Sequence, residues 1–224
     1  MSQEEPAWRR VTAAEDLEYR WPAALAVLVA VGIQLLLPEA VSPQVRWVLP
    51  VLELAFLVLL VAADPIRISR RTAFARRAGL ACAAVVSVAN AWSVALLVHA
   101  IVSGTSGGAA SLLLSGAGVW LTNVIAFALW FWELDRGGPA ARAHGEQDLP
   151  DFLFAQMQSP ELAPHDWEPH FADYLYLAFT NATAFSPTDV LPMSRWAKLT
   201  MMLQSAVALV VTGFVVARAV NVLG

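Results

Sequence analysis

Oxygen-bearing side chains are concentrated in one short segment near the C-terminal end of the chain. They follow an aromatic stretch and lie around two prolines, Pro187 and Pro192. Hydroxyl, amide and carboxylate oxygens can line a hydrated path for a small cation, because hard cations prefer oxygen ligands. The candidate residues are Thr180, Asn181, Thr183, Ser186, Thr188 and Asp189.

Two ionisable residues fall inside apolar stretches. Glu53 lies in VLPVLELAFLVLL, and His99 lies near the end of another stretch. Ionisable groups in a membrane segment are costly and usually functional. Glu53 could bind a proton or a cation and His99 could sense pH. Alternatively, Glu53 is a protonated or snorkelling residue near an interface, and His99 joins Asn90, Asn123 and Gln204 as a hydrogen-bond partner between helices.

The composition indicates the environment in which these residues act. Hydrophobic residues make up 58% of the 224 residues and charged residues only 14%, whereas a soluble domain is about 25% charged. These values argue against a soluble enzyme and a disordered chain, and they predict an all-α, polytopic bundle of transmembrane helices. The net charge of −4 gives no indication of nucleic acid binding. A single cysteine, Cys82, excludes an intrachain disulfide and a multi-cysteine metal site.

Five stretches are candidates for crossing a bilayer, which requires about 20 apolar residues. The first two are a little short. Tryptophans begin or end four of the five, as expected for rings at headgroup depth. The five firm spans are predicted at 21–37, 47–63, 79–102, 111–132 and 196–223.

Arginines predict the orientation of the spans. The linker 64–78 holds Arg67, Arg70, Arg71, Arg76 and Arg77 against a single acid, Asp64. The positive-inside rule therefore places it in the cytoplasm. The N-terminus lies two spans earlier and is then also cytoplasmic, while the uncharged turn 104–110 falls outside. The first twenty residues lack the apolar core of a cleavable signal and are interpreted as a mature N-terminus.

Four parts of the chain are distinguished by composition. They are a polar N-terminal segment (1–20), a four-span helical bundle (21–133), an acidic linker with a short amphipathic helix around Phe152 (134–168), and a C-terminal unit (169–224).

The C-terminal unit begins with a short predicted helix over residues 170–183. About 14 helical residues reach about 21 Å, less than the ~30 Å hydrocarbon core. Irregular backbone at membrane depth is tolerated only where protein or water surrounds it. We therefore expect a re-entrant hairpin; the alternative is a thin sixth span over residues 171–187.

The same unit resembles the pore helix, filter and inner helix of tetrameric potassium channels. Their T-x-x-G-Y-G-D-x-x-P pattern aligns without a gap, and Thr183, Asp189 and Pro192 fall on its threonine, aspartate and proline. Ser186 and Thr188 replace the two filter glycines, and Pro187 replaces the tyrosine. The whole chain also resembles an uncharacterised bacterial family of integral membrane proteins that shares this degenerate unit, most distinctively in the string AFSPTD (184–189).

The resemblance implies a homotetramer in the bacterial cytoplasmic membrane and adds Ala184, Phe185 and Pro187 to the filter-like residues. Proline cannot take the positive φ of a potassium-type carbonyl ladder, and serine rarely does. A weakly selective cation pathway is expected instead. On the last helix, Ser205, Ala208 and Thr212 share one face, which would line the path or pack closely against another helix.

The side on which the hairpin opens departs from the channel pattern. A potassium channel's pore loop enters from outside, whereas four preceding spans place this one on the cytoplasmic side. The hairpin is then inverted, as in ionotropic glutamate receptors, unless the segment crosses the membrane.

Three functions follow from these interpretations. The first is a cation-conducting homotetramer, the second a small proton- or cation-coupled secondary transporter, and the third a non-conducting membrane scaffold. No nucleotide loop and no nucleophile–base arrangement is present in the sequence, so we do not expect an enzyme. The expected partners are the lipid bilayer, further copies of the chain and a small cation, with no cofactor and no resident metal.

Overall fold

Helices make up nearly all of the described structure. The computed structural model describes residues 18–37, 47–63, 73–105, 108–147, 149–164, 166–183 and 189–223. Helix accounts for 80% and strand for 3%, which confirms the all-α class. In chain order the helices are α1 (Trp21–Leu36), α2 (Val48–Ala63), α3 (Ala73–Val102), α4 (Ala109–Leu134), α5 (Pro139–Ala143), α6 (Ala155–Gln158), α7 (Phe171–Thr183) and α8 (Arg195–Leu223).

Three of these helices are long and apolar enough to cross a membrane. They cover Phe74–Val102, Ala109–Ala143 and Arg195–Asn221. Helices α1 and α2 are apolar but have 16 residues each, or about 24 Å at the usual helical rise. The structure thus agrees with a membrane protein, and the count of five spans stays a prediction.

Helix α4 is the centre of the bundle. It packs against α1, α3, α7 and α8, while α2 packs against α1 and α3. Within the most apolar window of each helix, 67% of α4 is buried but only 22% of α8. Gly116 lets α4 approach α8 closely, because a Cβ at Gly116 would lie 2.6 Å from Cγ2 of Val215. Most of α8 therefore faces outward from this single chain.

Five helix termini meet at one end of the bundle, which we call the Asp135 end. Helix α4 finishes there, and α1, α3, α7 and α8 begin there. Arg76, in the first turn of α3, donates a 2.6 Å hydrogen bond to the Glu133 carbonyl. Just before α1, Glu18 accepts the indole N–H of Trp132 at 3.0 Å.

The linker after α4 differs from the predicted amphipathic surface helix. Phe152–Leu153 form the two-residue strand β1, which pairs antiparallel with β2 (Leu191–Pro192). Short 3-10 turns cover Asp135–Gly137 and Pro160–Leu162. Phe152 is completely buried, and the four-residue helix α6 begins only at Ala155. The apolar residues that suggested a membrane-surface helix are used instead to bury a strand within the protein.

Candidate functional site

Helix α7 begins at the Asp135 end. The Phe171 ring meets Trp132 edge-on, with 5.7 Å between the ring centroids. Within the first turn, the Tyr174 hydroxyl donates a 2.6 Å hydrogen bond to the Asp135 carboxylate. Phe171 and Tyr174 are both buried, so the start of α7 is fixed to the end of α4.

The other end of α7 lies partway along α4 and α8. Phe179 packs edge-on against Trp120, near the midpoint of α4, at 5.5 Å between centroids. The side-chain amide of Asn181 donates to the Met201 carbonyl at 3.0 Å and to Gln204 Oε1 at 2.8 Å. Helix α7 therefore runs antiparallel to α4 and parallel to α8, and it ends between their two ends.

The chain is again at the Asp135 end when it reaches β2. The Met193 N–H donates a 2.8 Å hydrogen bond to the Asp151 carbonyl, next to β1. The Trp196 indole N–H, at the start of α8, donates to the Asp151 carboxylate at 2.8 Å. Residues 171–193, which we call the hairpin segment, thus start and finish at the same end of the bundle.

Phe152 of β1 holds the two ends of the hairpin segment together. Its ring lies 5.0 Å from Phe131 of α4, 6.4 Å from Tyr174 of α7 and 5.5 Å from Trp196 of α8, measured between centroids. Such edge-on aromatic contacts add to the stability gained by burying the rings. One side chain therefore joins three helices at the Asp135 end.

Buried amides connect the tip of the hairpin segment to the rest of the bundle. Asn90 donates to Asn123 Oδ1 at 3.3 Å, and Asn123 donates to the Gln204 carbonyl at 3.4 Å. Gln204 in turn donates to the Ala178 carbonyl at 2.7 Å. The predicted role of Asn90, Asn123 and Gln204 as partners between helices is confirmed, and their hydrogen bonds link α3, α4, α8 and α7.

Glu18 anchors the N-terminus of α7. Its carboxylate accepts the Phe171 backbone N–H at 2.6 Å and lies 3.6 Å from Arg142 Nη2. Burial raises the pKa of Glu18, while the charge of Arg142 and the N–H donors act against that rise. A carboxylate at this position also interacts favourably with the positive end of the helix dipole.

Arg142 completes a buried charged cluster at the Asp135 end, formed by Glu18, Asp135 and Arg142. It donates through Nη1 to the carbonyls of Trp132, at 2.7 Å, and Asp135, at 3.0 Å. Its guanidinium lies over the Tyr174 ring, 5.0 Å from the centroid. Sequence analysis could not detect this cluster, because Glu18 is far in sequence from Asp135 and Arg142 and the three residues follow no known motif.

The filter-like residues divide into two groups. Ala184, Phe185, Ser186, Pro187 and Thr188 lie outside the described residues. Of the others, Thr180 and Thr183 are partly buried and donate to carbonyls of their own helix. Asp189 is exposed and accepts the Tyr176 hydroxyl at 3.3 Å. The side chains of Thr180, Asn181 and Thr183, in the last turn of α7, therefore donate hydrogen bonds to α7 itself or to α8.

The three residues of α8 that were predicted to line a pathway differ in their surroundings. Ser205 donates to the Asn181 carbonyl at 3.1 Å, and Ala208 is only 1% exposed. Thr212 is exposed. Ser205 and Ala208 thus take the close-packing role within one chain, and their part in lining a pathway stays a prediction.

The two intramembrane ionisable candidates have opposite environments. His99, in the last turn of α3, is exposed. Glu53 is completely buried and accepts a 2.8 Å hydrogen bond from the Gln34 side chain. The structure therefore leaves His99 at the surface and places Glu53 between α1 and α2.

No protein family matches this chain, and no curated protein or solved structure matches it either.

Proposed function

We propose that this protein is a channel-like integral membrane protein that conducts small cations with weak selectivity. The observation that supports the proposal most directly is the course of the hairpin segment. Its two ends lie together at the Asp135 end, while Phe179 lies beside the midpoint of α4. In a bilayer, such a segment enters to about mid-depth and returns, which is the course of a pore loop.

The chemistry of the hairpin tip favours a cation. The C-terminal end of α7 carries the partial negative charge of its dipole toward the membrane interior. Near that end, Thr180, Asn181 and Thr183 carry side-chain oxygens, and Ser186, Thr188 and Asp189 follow them in the sequence. Backbone that is not helical requires contact with protein or water at this depth. A hydrated, weakly selective constriction meets these requirements better than a dehydrating filter.

The pathway requires several copies of the chain, since one hairpin encloses nothing. We propose a homotetramer of five-span subunits in the bacterial cytoplasmic membrane, with the Asp135 end in the cytoplasm. The outward face of α8 supports this assembly, because large apolar side chains cover it. Among them, Leu199, Met202 and Leu209 are each more than 60% exposed. Lipid and neighbouring subunits together would cover this face.

Cation flux into proteoliposomes tests the proposal. Wild-type protein is expected to give downhill flux of a monovalent cation, and Ser186→Trp is expected to reduce it at least about tenfold by filling the constriction. Leu28→Trp, on the outward face of α1, is the matched control and should keep wild-type flux. Equal loss in both variants, or no flux in folded wild-type protein, would contradict conduction.

A proton-coupled transporter is the second candidate, and the buried Glu53 favours it. In that case, the wild-type protein transports cations only when a proton gradient is present and shows no downhill conduction. Glu53→Gln abolishes the transport. Folded protein without flux under either condition would leave the membrane scaffold as the remaining function.

A further inference from the structure

Glu53 is a buried carboxyl within one of the described apolar helices. It lies on α2, is completely buried and accepts the Gln34 side-chain N–H through Oε1 at 2.8 Å. Its second oxygen, Oε2, is also buried and has no hydrogen-bond partner among the described residues. Gln34 itself is only 8% exposed, so the pair is largely enclosed on the α1 side.

The neighbours of Glu53 offer no compensating charge. Helices α1 and α3 pack against α2; α1 presents the neutral amide of Gln34, and the thiol of Cys82, on α3, lies within electrostatic range of Glu53. No cationic side chain in the described ranges pairs with Glu53. One turn further along α2, Leu57 is buried as well. A carboxylate anion in this setting would be an unpaired buried charge, which is strongly unfavourable.

We propose that Glu53 is a reversible proton-binding site inside the bundle, with Gln34 as its positioning residue. The proton is the expected ligand because it needs one oxygen, whereas a metal cation requires several oxygen ligands. The described surroundings of Glu53 supply only the Gln34 amide as a further ligand. This inference does not rest on the proposed function, since a proton can bind with or without conduction.

Labelling with dicyclohexylcarbodiimide tests the site in the full chain, in detergent or lipid. The reagent reacts with a protonated carboxyl in an apolar setting: the acid proton passes to a carbodiimide nitrogen, and the carboxyl oxygen bonds to the central carbon. The adduct rearranges to a stable N-acylurea that peptide mass spectrometry can locate. We expect the adduct on Glu53, and its initial rate should fall about tenfold per pH unit above the titration midpoint.

Two variants and one internal reference make the test specific. Glu53→Gln removes the adduct while keeping the side-chain shape. Gln34→Leu removes the N–H that favours the charged form, so labelling at a fixed pH above the midpoint should rise roughly tenfold. A purely structural role for Gln34 would not move the pH profile in this direction. The exposed carboxyl of Glu146 is the reference and should remain unlabelled.

Infrared spectroscopy covers the case in which the reagent fails to reach the site. A protonated Glu53 gives a carboxylic C=O stretching band that Glu53→Gln removes and that disappears at high pH. The proposal is overturned if folded wild-type protein shows neither the adduct nor the band. It is also overturned if either signal is independent of pH.

Discussion

At the scale of single residues, Tyr174 is held by several contacts at the start of the hairpin segment. Its hydroxyl donates to Asp135 at 2.6 Å, and its ring lies beneath the Arg142 guanidinium and beside Phe154 at 5.4 Å. Tyr174 is completely buried. Removing the Tyr174 hydroxyl would take one hydrogen-bond donor away from the buried carboxylate of Asp135.

Tyr174→Phe should therefore lower the free energy of unfolding by about 1–3 kcal/mol, the usual cost of an unsatisfied buried polar group. Tyr176→Phe is the matched control, because Tyr176 is exposed and its bond to Asp189 is long, at 3.3 Å. Thermal unfolding in detergent measures both variants. Equal stability of the two variants would show that the Tyr174–Asp135 bond does not fix α7.

Although it did not single out Gln34, sequence reasoning found several of the buried polar residues that an apolar run surrounds. Asn90, Asn123 and Gln204 stand out for that reason, and so does Glu53. The charged cluster was not predicted, because Glu18, Asp135 and Arg142 lie in polar segments, where charged residues are usually solvated. Only the three-dimensional contacts distinguish these residues from solvated neighbours.

At the scale of elements, the close contact between α4 and α8 positions the amides of the hairpin tip. It depends on Gly116, since any Cβ there would overlap the branched side chain of Val215. Gly32, in α1, has nothing within 4 Å of the position of an added Cβ. The two glycines therefore differ in packing while both lie within helices.

Gly116→Ala is expected to cost about 1–3 kcal/mol through overpacking. Gly32→Ala should be neutral or more stable by up to about 1 kcal/mol, because alanine favours helix. Chemical or thermal unfolding in the same detergent compares them. A stable Gly116→Ala variant would mean that α4 and α8 are further apart than described.

Helix positions were largely predictable because hydropathy marks them. The predicted short helix over residues 170–183 corresponds to α7 at Phe171–Thr183. Helix α3 begins at Ala73, before the predicted start at Gly79, because its first turns carry polar residues; one of them, Arg76, bonds to the Glu133 carbonyl. The β1–β2 pair could not be predicted, since two-residue strands far apart in sequence have no periodicity to detect.

At the scale of the whole molecule, the account requires more than one chain. We expect the native complex in mild detergent to have four times the 24.2 kDa mass of one chain, after correction for bound detergent and lipid. The physical reason is that a single hairpin segment cannot enclose a pathway, so the segments of several copies must surround it together. Light scattering or native mass spectrometry measures the mass, and a monomer in folded protein would contradict the pathway.

The central claim is that the hairpin segment enters and leaves the membrane on one side, and side-specific cysteine labelling tests it most directly. With Cys82 replaced by alanine, single cysteines are placed at the exposed positions Ala172 and Met193, at the two ends of the hairpin segment, and at Thr105 as a reference for the other end of the bundle. We expect a membrane-impermeant thiol reagent to label positions 172 and 193 from the same face and position 105 from the opposite face. Labelling of 172 and 193 from opposite faces would make the segment a sixth span and would contradict the account.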